Sequence, residues 1–308
     1  MDLLIQSIDE LRKYVKINTS KNFDTYRMFV ADAQDRYIVP YFGSELVSSL
    51  VNDDDDLLRE YLCRALGPFS LALATDEFSI SFGETGHTVL RTDKEAPASD
   101  AKIERAEESL YERAWANLDK ALDYMQKHPN EYPAGDNIQR NFKTSLFSSA
   151  VEFQDKGLVN IDYSTLTFFH LRTLILRIEQ TETCRLLPKS VREKYKTVKF
   201  PDDILSALQA YTGSRVAMLH TSQTTRSQRS IPGDRAEYKP VIRPLYDDRE
   251  DTGNYYADQV EYWRLALLEA LVENGEVEPD GQALEYNSKD KKIFVAGARR
   301  EGYENDKN

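Results

Sequence analysis

Apolar residues recur at three- and four-residue steps through most of the chain, the period of amphipathic helices. Tyr26, Phe29, Val30, Ala33, Tyr37 and Ile38 share one face of a predicted helix over 24–38, which Pro40 is expected to stop. A shorter helix over 7–15 precedes it and opens on Ser7 and Glu10, spaced as a capping box. Helices over 44–51 and 57–66 follow, the second continuing past Gly67-Pro68 as 69–74. The longest periodic stretch, Asp100–Lys127, places Leu110, Ala114, Leu118, Ala121 and Met125 on one face, with Pro129 and Pro133 beyond its end. The pattern changes to period two at Phe78, Ile80 and Phe82, which alternate with Glu77, Ser79 and Ser81. Gly83-Glu84-Thr85-Gly86 then turns the chain into Thr88-Val89-Leu90, so a β-hairpin is predicted near 77–91.

The chain also resembles itself. Tyr37-Ile38-Val39-Pro40 aligns with Arg185-Leu186-Leu187-Pro188 at an offset of 148, and Met28 and Val30 fall on Leu176 and Ile178. Asp56-Leu57-Leu58 falls on Asp203-Ile204-Leu205 at 147, and Gly67, Leu73 and Thr75 on Gly213, Leu219 and Thr221 at 146. Glu112, Ala121 and Leu122 match Glu261, Ala270 and Leu271 at 149, while Ser7–Leu11 resembles Ser149–Phe153 at 142. Solenoids repeat every 20–50 residues or so, so this spacing points to duplicated domains. A helix over 254–274 carries Val260, Trp263, Leu267 and Leu271 on one face. Leu284–Tyr286 and Ile293–Val295, flanking Asn287-Ser288-Lys289-Asp290, predict a C-terminal hairpin at 284–295. The expected fold is mainly α: two duplicated helical modules, 1–135 and 142–308, each with a β-hairpin insertion. The tail from Arg299 to Asn308 is polar and expected to fray.

Composition changes this picture in two respects. Over 308 residues, 40 Lys and Arg oppose 52 Asp and Glu, a net charge of −12, which argues against a nucleic-acid coat or an anionic-membrane binder. That charge is unevenly placed: residues 1–135 carry 15 basic and 25 acidic side chains, so ten of the twelve net negative charges belong to the first module. Two cysteines, Cys63 and Cys184, exclude a disulfide scaffold and a Cys-rich zinc site. Met1–Gln6 lacks a basic flank and a sustained apolar run, and the most apolar stretch, 65–74, is half the length of a membrane span. A cytoplasmic protein is expected.

No phosphate-binding loop, dinucleotide fingerprint, nucleophile elbow or paired-His helix is present, and His87, His128, His170 and His220 are scattered. No catalytic, cofactor-binding or metal residue is assigned. Asp53–Asp56 lacks the interleaved spacing of a calcium loop and marks a helix start, as does Asp202-Asp203. The basic loop 221–235 lies in a region where Arg215, Arg226, Arg229, Arg235, Lys239 and Arg243 are opposed by Asp234 and Glu237. Its readings are a solvated loop or an arm for an acidic partner or nucleic acid. Tyr255, Tyr256, Tyr262 and Trp263 cluster as a contact surface or as core.

The string Ala33-Gln34-Asp35-Arg36-Tyr37-Ile38-Val39-Pro40-Tyr41-Phe42-Gly43, together with Asp56–Ala74 and Phe82-Gly83-x-x-Gly86, resembles an uncharacterised Bacteroidetes family found in phage-like regions. Val191 stands where the motif's Gly43 would recur at offset 148. A helical module with one hairpin and a long closing helix is also similar to the head–tail connector proteins of tailed phages, which assemble as rings. The resemblance implies a non-enzymatic structural or assembly protein of a prophage or phage-like element, at the head–tail junction. Its partners would be other phage structural proteins or its own copies, with no cofactor or membrane and nucleic-acid contact only through the basic loop. Its location would be cytoplasmic or virion-associated. The alternative is a small-molecule enzyme or ligand-binding protein with its site between the modules.

Overall fold

The computed structural model describes residues 2–17, 22–53, 56–83, 86–89, 99–132, 142–195, 198–226, 236–243 and 252–278. The chain divides into two compact units. Unit 1 is Met1–Arg140 with Ile231–Tyr238, and unit 2 is Asn141–Ser230 with Lys239–Asn308.

In unit 1, α1 (Ile8–Tyr14) begins as its capping-box spacing predicts: Ser7 Oγ accepts from Glu10 N–H, and the Glu10 carboxylate accepts from Gln6 N–H at 2.8 Å. Next, α2 (Asp24–Ala33) runs without a break into a π turn, Gln34–Ile38, and then α3 (Val39–Phe42). Pro40 therefore does not stop the helix. It sits in the first turn of α3, where its missing N–H is least costly, and the widened turn before it gives the ring room. The stop comes at Gly43, whose φ of +76° ends α3 before α4 (Ser44–Leu50). The long α5 (Leu57–Ser79) passes straight through Pro68, and α6 (Asp100–Lys127) has the span its periodicity predicts. Helix α5 packs extensively along α6. Leu62, Leu66 and Phe69 of α5 and Ala114, Leu118, Ala121, Leu122 and Met125 of α6 are wholly buried. Removing that much apolar surface from water compensates for the hydrogen bond that Pro68 deletes.

An aromatic nest fills one end of this pair. Tyr37 of the π turn stacks on Phe69 at 4.2 Å between centroids, and Trp115 meets both rings edge-on at 5.7 and 4.7 Å. Tyr238, from the second segment of the unit, lies 5.4 Å from Trp115. Tyr41 borders the nest, and burial, with Tyr238 nearby, pushes its phenol up to about 12.

Unit 2 repeats the order. It comprises α7 (Ala150–Gly157), α8 (Thr165–Ile178), a π turn at Glu179–Thr183, α9 (Cys184–Leu186), α10 (Lys189–Lys194), α11 (Asp202–Arg226) and α12 (Thr252–Glu273). Ser149 caps α7 as Ser7 caps α1. The two π turns correspond at an offset of 145, not the 148 of the Tyr37–Pro40 match, so Pro188 precedes α10 and is not the counterpart of Pro40. One core cluster joins Leu186, Val191, Ile204, Leu208, Leu267 and Leu271, and a second joins Phe147, Phe153, Phe168, Ile175, Val216 and Tyr256.

The expectation of a β-hairpin insertion in each module is overturned. Helix accounts for nearly all regular structure among the described residues, and α5 takes 77–79, which the hairpin reading assigned to a strand. A four-residue pairing of β1 (Ile80–Gly83) with β2 (Gly86–Val89) joins no larger sheet. Unit 2 has no strand among its described residues, and α11 takes 221–226 of the expected basic loop. A three-residue alternation fits either period, and a helix already running extends cheaply, at one hydrogen bond per residue added. The expected C-terminal hairpin at 284–295, and 227–235 of the basic loop, lie outside the described residues.

Two glycines meet at a close helix crossing in unit 2. A Cβ on Gly213 of α11 would lie 2.1 Å from the carbonyl oxygen of Gly157 at the end of α7. The corresponding Gly67 of α5 faces Tyr14 Cβ, which a Cβ would approach to 2.8 Å. Because Gly157 is committed to this crossing, the next residue, Leu158, turns the helix end at φ +54° in place of a glycine. Gly213→Ala is therefore expected to destabilise the protein by about 3 kcal/mol, since backbone faces the new methyl. Gly43→Ala, strained in φ but in open space, should cost about 1 kcal/mol. Urea unfolding of the two variants measures the difference.

Candidate functional site

Polar groups converge in each unit where the arm preceding its first helix is clasped to the frame. In unit 1, Gln34 opens the π turn and is wholly buried. Its Oε1 accepts from Leu4 N–H at 2.8 Å, and its Nε2 donates to the Asp2 carbonyl at 3.0 Å. Arg59 of α5 donates through Nη2 to the Leu4 carbonyl at 2.9 Å and to Glu10 Oε1 at 2.7 Å. Cys63 lies one turn on, its thiol 3.8 Å from the same carbonyl. Burial drives the Cys63 thiol up to about 12 despite the nearby Arg59, so the protonated form is favoured.

Unit 2 builds the same clasp with other residues. Glu179 opens its π turn, buried, and accepts from Thr144 Oγ1 at 2.6 Å, Ser145 N–H at 3.1 Å and Leu146 N–H at 3.2 Å. Gln209, which stands at the place of Cys63 when Gly67 is set on Gly213, donates to the Leu146 carbonyl at 2.7 Å and to Glu152 Oε1 at 2.9 Å. An arm amide needs a buried acceptor in each unit, and either a carboxamide or a carboxylate supplies it.

On the outer side of the unit 1 clasp lies a cleft of about 460 Å³, bounded by α1, α5 and α6 and lined by Lys13, Tyr14, Arg59, Glu60, Arg64, Arg113 and Asn117. Its polar atoms are organised around Tyr14 and Glu60. The Tyr14 hydroxyl donates to Glu60 Oε2 at 2.7 Å, and Arg64 Nε donates to Glu60 Oε1 at 2.8 Å. Arg113 of α6 donates to the Tyr14 carbonyl at 2.7 Å. Burial and the bond to Glu60 raise the Tyr14 phenol far above its ordinary value, so it stays a hydrogen-bond donor. Burial pushes the Glu60 carboxyl upward, but the bonds from Tyr14 and Arg64 and the charges of Arg64 and Lys13 outweigh it and hold the group below its usual range.

The residues singled out in sequence do not gather into a site. Asp56 is the start of α5: its carboxylate accepts from Arg59 N–H and from the Tyr132 hydroxyl, while Asp203 accepts from Asn274. Among the basic-region cations, Arg215 pairs with Glu182 at 2.6 Å and Arg243 with Asp162 at 2.9 Å, both inside unit 2. Tyr256 is core, Trp263 is partly buried, and Tyr262 is exposed. His128 stacks on Tyr124, and burial lowers the pKa of both His170 and His220, the latter against an opposing bond to the Pro240 backbone. Among the described residues, no cluster of three or more His, Cys, Asp or Glu could hold a metal ion. No helix among them is long and apolar enough to cross a membrane. Sequence reasoning missed the cleft entirely, because its walls come from positions up to about a hundred residues apart.

Arg59→Met leaves the largely buried Glu10 carboxylate without its cation and should cost about 3 kcal/mol. Gln209→Leu, which removes a neutral donor, should cost about 1–2 kcal/mol in the same unfolding assay. Glu60, held below the ordinary 4.5, contributes stability above that pH and loses it as pH falls through its lower folded value. Glu60→Gln should therefore flatten the stability profile below pH 4.5 while leaving its shape near neutrality unchanged. No curated protein and no solved structure matches the chain. Residues 9–141 match the model of a family of unknown function (DUF6712), a stretch that ends within one residue of where the first segment of unit 1 ends.

Proposed function

We propose that the protein is a non-enzymatic structural component of a prophage or phage-like element, acting in assembly at the head–tail junction through protein–protein contacts. The observation that carries this reading is the repetition of one polar frame in both units. Each clasps its arm to a π turn and to its long central helix through buried bonds, from Gln34 and Arg59 in one and from Glu179 and Gln209 in the other. Those side chains hold a helical scaffold rigid. A rigid scaffold suits a part that must present fixed surfaces to neighbours.

Charge supports the same reading. The −10 of residues 1–135 against −2 for the remainder gives the chain two electrostatically different halves, and unlike surfaces on one subunit are what a head-to-tail ring joins. The resemblance of the Ala33–Gly43 string to a family of phage-like regions supplies the setting, in which the protein is cytoplasmic until it joins a particle. A second reading, ligand binding, is favoured by the cleft of unit 1.

Light scattering on the purified chain, with co-sedimentation against isolated portal, capsid and tail components, tests the proposal. A ring-sized oligomer or stoichiometric association with the portal or tail is expected, weakening as salt rises above about 0.15 M. A monomer that associates with none of them overturns it.

A further inference from the structure

The first 135 residues carry the acidity of the chain, yet the cleft bounded by α1, α5 and α6 is lined by four cations and one carboxylate. Two of those cations are balanced within the protein: Arg59 by Glu10 at 2.7 Å, and Arg64 by Glu60 at 2.8 Å. The other two are not. Lys13 is exposed and forms no ion pair among the described residues, although its charge reaches Glu60. Arg113 is also exposed; it spends one hydrogen bond on the neutral Tyr14 carbonyl and has no carboxylate partner among the described residues.

We propose that this cleft is a binding site for a small phosphate dianion, a phosphomonoester or inorganic phosphate, held principally by Lys13 and Arg113. Several physical arguments select that ligand. Two unbalanced positive charges match a dianion better than a single carboxylate. The guanidinium fork of Arg113 suits the paired oxygens of phosphate, while Lys13 acts as a point charge. The volume, about 460 Å³, lies within the roughly 300–1,000 Å³ of small-molecule sites. The polar lining suits a hydrated anion over an apolar ligand. Nucleic acid offers the same phosphate chemistry but is disfavoured, because a strand running out of the cleft meets the acidic remainder of the module.

Tyr14 and Glu60 have a defined part in such a site. The Tyr14 hydroxyl and Arg64 hold the two Glu60 carboxylate oxygens, one each. Glu60 is thus the counter-ion that restrains affinity, and a phosphate would complete the charge balance that it leaves unfinished. This proposal does not rest on the assembly reading, since a ring component and a monomer could carry the site equally.

Isothermal titration of the full chain with inorganic phosphate, an alkyl phosphate and sulfate, alongside a short single-stranded oligonucleotide, provides the test. One-to-one phosphate binding is expected at pH 7.5, reduced several-fold at pH 5.5, where a phosphomonoester with its second pKa near 6 becomes a monoanion. Sulfate, dianionic at both values, should not show that loss, because its own charge does not change and Glu60, held below its usual range, stays ionised. Lys13→Ala and Arg113→Ala should each weaken phosphate binding at least tenfold, roughly the worth of one charged hydrogen bond. Lys120→Ala, which removes a charge from α6 outside the cleft, should change it less than twofold. Circular dichroism melts confirm that the variants remain folded. Absence of phosphate binding, or binding unchanged in both cleft variants, overturns the proposal, as does an oligonucleotide that binds there while phosphate does not.

Discussion

A backbone amide cannot be buried without an acceptor, and the structure of each unit follows from how that requirement is met at Leu4 and Leu146. Both residues precede a first helix and lie in a segment with no ladder or helix of its own to satisfy it. The acceptor comes from the first residue of a π turn, Gln34 or Glu179. An α-helix running on undisturbed would carry that side chain on round its surface at 100° per residue, whereas the extra residue of the π turn resets the face that follows. The arm, the turn and the long helix are thereby tied into one frame.

The frame is conserved between the units in geometry more than in chemistry. Unit 1 uses a carboxamide for the arm amide and an arginine for the arm carbonyl, so a charge must be placed beside Glu10. Unit 2 uses a carboxylate for the amide and a carboxamide for the carbonyl and Glu152. Arg59 reaches from one turn nearer the start of its helix than Gln209, and its longer side chain spans the difference. That extra reach brings a guanidinium to the cleft of unit 1.

Much of the helical frame was legible in sequence, for reasons that can be located. Ser7 with Glu10 and Ser149 with Glu152 are local signals, complete within four residues, and both caps formed. The span of α6 was equally plain, since 28 residues of one period between polar flanks admit no other element. The π turns were not legible, because one inserted residue moves apolar positions by less than the width of the buried stripe. Pro40 was misread for the same reason: its cost depends on the turn before it. Offsets drifting between 142 and 149 were visible, but which matches were equivalent depended on contacts, and the π turns follow an offset of 145 where the Tyr37–Pro40 match gave 148. The cleft could not be read at all. Lys13, Glu60 and Arg113 are unremarkable singly, and the net charge of their module pointed the other way.

Unit 1 is assembled from two stretches of chain, the second ending at Tyr238 beside Trp115. A ribosome makes the chain from one end, so the aromatic nest waits for its last member until about a hundred residues after α6 has emerged. For that interval the indole face lacks its partner ring. The excess of acidic side chains in the first 135 residues then serves the growing chain as a solubilising coat, a role separate from any it has in the finished protein.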